Sequence, residues 1–166
     1  GDRTLDYDEI VGIIAERITT SPRYRQVIRH VPGRIAAPVW VDDLYLQPDP
    51  QTGAIRVQTT LRSAARSSRR LHLHLSVAGA AGGETLDALT LERDVPAGDS
   101  TLAAELRLGA PRLWDLNDPY LYRVTVRATV ADSAFCDERS SRCGFRTFRF
   151  DQGYFRLNGK RLWLRS

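Results

Sequence analysis

Between Leu121 and Val130 the chain alternates without a break: Tyr122, Val124, Val126, Ala128 and Val130 take every second position, and Arg123, Thr125, Arg127 and Thr129 take the others. Successive side chains of a strand point to opposite faces, so this stretch can bury one face and wet the other; a helix would spread the same apolar residues around its axis. The period of two recurs upstream. Ile55, Val57, Thr59 and Leu61 alternate within 54–62, and Leu71, Leu73, Leu75 and Val77 within 70–77, which leaves His72 and His74 side by side on the opposite face. Segments 39–46, 85–91, 101–108 and 143–150 complete a set of seven, separated by turn-rich stretches such as PDPQTG, AGAAGG and VPAGDS. Half-buried strands at this spacing predict an all-β fold of two antiparallel sheets packed face to face. Asp42–Asp43, set inside the first apolar strand, marks a sheet edge or a bulge.

The first 36 residues break the rhythm. Asp6 and Glu9 form a capping-box-like pair ahead of Ile10, Ile13, Ile14 and Ile18, and Ser21–Pro22 opens a second pattern with Tyr24, Val27 and Ile28. Two short helices are expected there, although the β-branched run EIVGII also reads as a strand and Gly12 weakens a helix.

At 166 residues the chain is long enough for one sizeable core, and 42% hydrophobic with 27% charged residues is the balance of a packed globular protein. No apolar run approaches the roughly 20 residues of a membrane helix, and the N-terminus lacks the order of a signal peptide. With Gly1 first and no Met, the sequence reads as an excised piece. The formal charge of +4 raises the question of nucleic acid. Apart from Lys160 the basic residues are arginines scattered along the chain, and the densest run, Arg66–Arg70, is expected to be a solvated loop without an aromatic stacking platform. Neither nucleic acid nor membrane is an expected partner. Cys136 and Cys143 are too few for a zinc site; a disulfide between them and two free thiols both stay open.

The C-terminal third is more specific. Leu113-Trp114 is followed by Asp118-Pro119-Tyr120-Leu121-Tyr122 entering a strand, then by Gly144-Phe145-Arg146, then by Leu157-Asn158-Gly159-Lys160. Each piece has a local reading. Asp-Pro sets a turn, Trp114 and Tyr120 supply apolar area to close one end of a sandwich, and Asn158-Gly159 suits the positive φ angles of a two-residue hairpin turn. In this order the pieces resemble the immunoglobulin-like domain of glycoside hydrolase family 2, the family of β-galactosidases, β-glucuronidases and β-mannosidases. Asp118 stands where that family usually has Asn. The resemblance spans about Ile35 to Ser166 and implies an immunoglobulin-like antiparallel β-sandwich of about seven strands, with an N-terminal helical segment and a C-terminal β-hairpin.

The implied organisation is an N-terminal segment, residues 1–36, left from or linking to a preceding jelly roll; a sandwich, residues 37–150; and a hairpin, residues 151–166, leading toward a catalytic barrel. Family members are retaining glycosidases whose two catalytic glutamates sit on that barrel. The resemblance therefore implies that this piece carries no catalytic residue, cofactor or metal of its own, and that its partners are the other domains of a polypeptide acting on a carbohydrate. Trp114, Tyr120, Tyr122, Arg146, Asn158, Gly159 and Arg165 are the expected structural and interdomain residues. Arg146, in the last strand, is suited to pair with a carboxylate at the domain junction. Arg165 matches the family's lead-in to the barrel, while Ser166 departs from its usual Gly.

Sharper readings compete with blander ones. His72-x-His74 has a metal-like spacing but no evident third ligand, and Asp115 with Asp118 flank a proline turn, where Asp serves local hydrogen bonds. Tyr154, Phe155 and Trp163 are suited to stack on a sugar, but packing against a following domain is the favoured reading. A homodimer through the 154–164 hairpin is expected if that surface is left open. The rival function is a free-standing carbohydrate-binding or adhesive sandwich. The compartment, bacterial cytoplasmic or exported, does not follow from the residues.

Overall fold

The computed structural model describes residues 38–131 and 133–163. The helices expected over the first 36 residues, and Arg165, lie outside these described residues. Ten strands follow one another: β1 (Val39–Pro48), β2 (Ala54–Ser63), β3 (Arg69–Gly79), β4 (Thr85–Val95), β5 (Gly98–Arg107), β6 (Tyr122–Val130), β7 (Cys136–Cys143), β8 (Phe148–Asp151), β9 (Tyr154–Leu157) and β10 (Lys160–Leu162). The first seven form two antiparallel sheets, ordered β1-β2-β5 and β4-β3-β6-β7; the last three form a small sheet, β10-β9-β8. The first two sheets pack as an immunoglobulin-like sandwich.

The core is made by the alternating positions. Leu71, Leu73, Leu75 and Val77 of β3 and Val124 and Val126 of β6 are fully buried against Ile55, Val57, Leu61 and Leu106 of the facing sheet. His72 and His74 point outward, as the period of two requires, and face Glu92 (3.3 Å) and Thr90 (3.2 Å) across the β3–β4 ladder. Arg66, Ser67 and Ser68 are exposed, while Arg69 and Arg70 already belong to β3, where Arg70 pairs with Asp94.

The last sandwich strand differs from expectation. It is β7, ending at Cys143, rather than residues 143–150. Past Gly144 the chain leaves β6; Phe145 makes a parallel bridge with Leu113, and Phe148 already begins the small sheet. The segment CDERSSRC carries no apolar alternation because its inward positions are Asp137, Arg139 and Ser141, lying at the open edge of the sandwich. There Asp137 and Arg139 bond to backbone instead of packing. Val41 N–H donates to Asp137 Oδ2 at 2.8 Å, and Arg139 donates to the carbonyls of Val41 and Asp42. This is where edge strand β1 slips register between Val41 and Asp43, so inward charges answer the backbone groups that a bulge leaves unpaired. The opposite edge is closed in the same way, with Arg107 N–H of β5 donating to Asp87 Oδ2 of β4 at 2.7 Å.

The strand also settles the cysteines. They stand at the two ends of β7, seven residues apart and so roughly 23 Å at the rise of a strand, far beyond disulfide reach. Both are free thiols, Cys136 exposed and Cys143 buried.

Candidate interdomain seam

One end of the sandwich is closed by the β5–β6 connection, folded over the first residue of β6. Tyr122 is buried there because its position continues the inward row of β6. Its ring meets Tyr120 edge-on at 5.0 Å and Phe145 edge-on at 5.3 Å, and its hydroxyl accepts the Arg112 N–H at 2.7 Å. Burial, chiefly, pushes the Tyr122 phenol above its ordinary pKa. The Asp-Pro turn is built locally, from reciprocal backbone bonds between Asp115 and Asp118, and the Asp118 carboxylate receives the Arg112 fork through two bonds of 2.7 Å. That engagement raises the Arg112 pKa, the side-chain hydrogen bond being the main cause. Asp115 Oδ2 lies 4.0 Å from Lys160 Nζ. Both carboxylates are thus engaged locally, Asp118 with Arg112 and Asp115 near Lys160.

The seam proper joins this end to the small sheet. Trp114 N–H donates to Phe145 O (2.8 Å), while Trp114 O accepts from Asn158 Nδ2 (2.8 Å). Asn158 also accepts the Thr147 N–H on Oδ1 (2.9 Å) and donates its own N–H to Thr147 O (2.9 Å). One side chain thus ties the β5–β6 connection, the strand exit and the hairpin together. It can do so because Asn158 (φ 50°) and Gly159 (φ 81°) form the two-residue turn between β9 and β10, in a left-handed backbone that Asn and Gly tolerate best. Gly144 lets the layers meet: a methyl there would stand 3.1 Å from both Leu121 Cδ2 and Trp114 Cβ. Arg146 lays its guanidinium over the Trp114 ring, 4.8 Å from the centroid, so its observed partner is an aromatic face.

The structure therefore gathers Trp114, Tyr120, Tyr122, Arg146, Asn158 and Gly159 at one end of the sandwich, with Phe145 at their centre. Sequence reasoning quoted Phe145 only as part of a motif, and it missed Gly79, against whose bare Cα the Tyr120 hydroxyl packs. The three aromatics grouped for sugar stacking are split. Tyr154 and Trp163 lie on one face of the small sheet, and Phe155 lies on the other with Phe148 and Phe150. Among the described residues no group of three His, Cys, Asp or Glu side chains is placed to hold a metal ion.

Residues 39–146 match the sequence profile of Glycosyl hydrolases family 2. The chain belongs to this family. It is similar to β-galactosidase BgaC of Bifidobacterium adolescentis, with 32% identity over 89 residues, covering 46% of this chain and 8% of that protein. Among solved structures it is similar to a β-glucuronidase of Parabacteroides merdae, with 30% identity, a TM-score of 0.63, and coverage of 77% of this chain and 16% of the other. A glycosyl hydrolase family 2 member from Bacteroides cellulosilyticus shares the fold at 22% identity, with a TM-score of 0.66, over 75% of this chain and 18% of that one. The chain thus spans less than a fifth of each of these relatives, which are larger glycosidases or members of a glycosidase family.

Proposed function

We propose that this family 2 domain is a non-catalytic structural module of a retaining β-glycosidase, holding a catalytic barrel at a fixed distance and angle from a sugar-binding jelly roll. On this reading residues 1–36 link to the jelly roll, 37–150 are the spacer and 151–166 lead toward the barrel. The observation that supports it best is the Asn158 latch. The Asn158 side chain bonds both to Trp114, forty-four residues earlier, and to Thr147 at the strand exit, which ties the small sheet to the end of the sandwich. Beyond the latch that sheet presents an apolar face on which Phe148 and Phe150 remain 37% and 41% exposed, the kind of surface a following domain covers.

The test compares this chain with the full reading frame that contains it, on a panel of nitrophenyl β-glycosides. Turnover is expected only from the longer polypeptide, and hydrolysis by the 166-residue chain would overturn the proposal. By itself the chain is expected to sediment as a homodimer through the same apolar face, with Phe150→Ser restoring the monomer.

A further inference from the structure

The small sheet has a second face whose chemistry the spacer role does not use. In register, Arg149 of β8 stands opposite Arg156 of β9, which stands opposite Arg161 of β10. Three guanidinium side chains therefore lie abreast on one face, spread over roughly 10 Å at the spacing of adjacent strands. Like charges directly opposite one another destabilise a sheet. Among the described residues of the small sheet, the acidic side chain on this face is Asp151, paired in register with Tyr154. Asp151 Oδ2 lies 3.3 Å from Arg156 Nε, close enough for an ion pair but not aligned as a hydrogen bond, and 3.9 Å from Arg149. Arg161 is held differently, its guanidinium 3.3 Å from the centroid of Tyr154 and 3.8 Å from that of Trp163. Cation–π contact orients this cation without neutralising it. Trp163 itself is 74% exposed.

The face therefore combines an excess of cationic forks, two rings flanking one of them, and a carboxylate between. We infer that it is a binding site for an acidic oligosaccharide, one whose sugar rings carry carboxylate or sulfate groups. Each part has a role. Arg149 and Arg161 receive the anionic groups through paired N–H donors, as a guanidinium does for planar oxyanions. Trp163 offers its open ring surface to the C–H face of a pyranose, and Asp151 accepts from sugar hydroxyls. The patch spans about two sugar rings and offers too few cations for the multiple phosphate contacts on which sequence-independent binding depends. Phe148, Phe150 and Phe155 lie on the opposite face of the sheet, so the site stays open when a neighbouring domain covers the apolar side.

The test is a titration of the 166-residue chain in low-salt buffer, followed by tryptophan fluorescence and by calorimetry, with trigalacturonate as the probe. Maltotriose, hexathymidylate and hexaglutamate serve as neutral, nucleic-acid and acidic-peptide comparators. Saturable binding of trigalacturonate is expected, with maltotriose at least tenfold weaker, an affinity loss of tenfold or more in Arg161→Gln and in Arg149→Gln, and loss of the fluorescence change in Trp163→Ala. These side chains are exposed, so unchanged circular dichroism will show that the fold is kept. Equal binding of maltotriose, tighter binding of hexathymidylate or hexaglutamate, no saturable binding at millimolar probe, or indifference to both arginine substitutions would each overturn the inference. The readout is binding and not hydrolysis, so it stands or falls separately from the proposed place in a glycosidase.

Discussion

Replacing Asn158 by Gly tests the latch most directly, because it removes the side chain while keeping the left-handed backbone. Two hydrogen bonds go: Thr147 N–H to Oδ1 and Nδ2–H to Trp114 O. At about 0.5–1.5 kcal/mol net for each, the loss is about 1–3 kcal/mol. For a chain of this size that lowers the thermal midpoint by roughly 2–4 °C per kcal/mol. Asn158→Ala makes the same cut but keeps the Cβ at φ 50° that Gly sheds, so it should be about 1–2 kcal/mol less stable than Asn158→Gly. Asn158→Asp keeps the acceptor for Thr147 but turns a carboxylate toward the Trp114 carbonyl, so it should fall between wild type and Ala. Urea unfolding read by circular dichroism gives the global values. Amide hydrogen exchange gives the local one: in Asn158→Gly the amides of 154–162 should exchange faster than those of β3, as expected when the small sheet opens on its own. If Asn158→Gly unfolds within about 0.5 kcal/mol of wild type and leaves exchange in 154–162 unchanged, the latch does not hold the sheet and the reasoning fails.

Other consequences are smaller in scope. Gly144→Ala should destabilise by about 1–3 kcal/mol in the same urea assay, because the added methyl meets Trp114 Cβ at 3.1 Å on a side chain fixed by its own backbone bond to Phe145. Asp137→Ala should cost about 1.5–3 kcal/mol by leaving the Val41 N–H without its charged acceptor; a neutral result would mean that this bond does not hold the bulge of β1. A thiol reagent should modify Cys136 alone in the native chain and both cysteines in denaturant, so rapid native modification of two thiols would contradict the burial of Cys143. Burial pushes the Cys143 thiol up to about 12. Between the ordinary thiol range and that value the unfolded chain releases a proton that the native chain keeps, so stability present below about pH 9 should fall by up to about 1.4 kcal/mol per pH unit above it. Cys143→Ala should flatten this alkaline slope, while the contribution of buried Tyr122, shifted in the same direction, remains.

Most of the sandwich was legible because its strands obey the rule that makes them readable: one face dry, one face wet. Tyr122–Val130 and Arg70–Val77 needed nothing else. Cys136–Cys143 was hidden because an edge strand can direct its inward side chains at a neighbour's backbone, and Asp137 and Arg139 do so at the bulge of β1. No periodicity of apolar residues records that. The candidate seam was legible only as separate motifs. Asn158-Gly159 announced a turn, but nothing local shows that its amide reaches Trp114, forty-four residues earlier. Grouping Tyr154, Phe155 and Trp163 by nearness in sequence failed for a simpler reason: neighbours along a strand lie on opposite faces. That rule leaves Phe155 with the apolar side and Tyr154 with the arginines.

The same rule gives the small sheet two chemically distinct faces. Its apolar face and its cationic face share a backbone, so neither can rotate toward a partner without carrying the other away from its own. The Asn158 latch fixes this backbone through hydrogen bonds to main chain at Trp114 and Thr147 and does not depend on side-chain packing. Substitutions on either face, such as Phe150→Ser or Arg161→Gln, should therefore change what the sheet binds while leaving its orientation intact. Substitutions at Asn158 should disturb both faces together, so a loss of dimerisation and of trigalacturonate affinity in Asn158→Ala, each retained separately in the face variants, is the pattern that a latched, two-faced sheet requires.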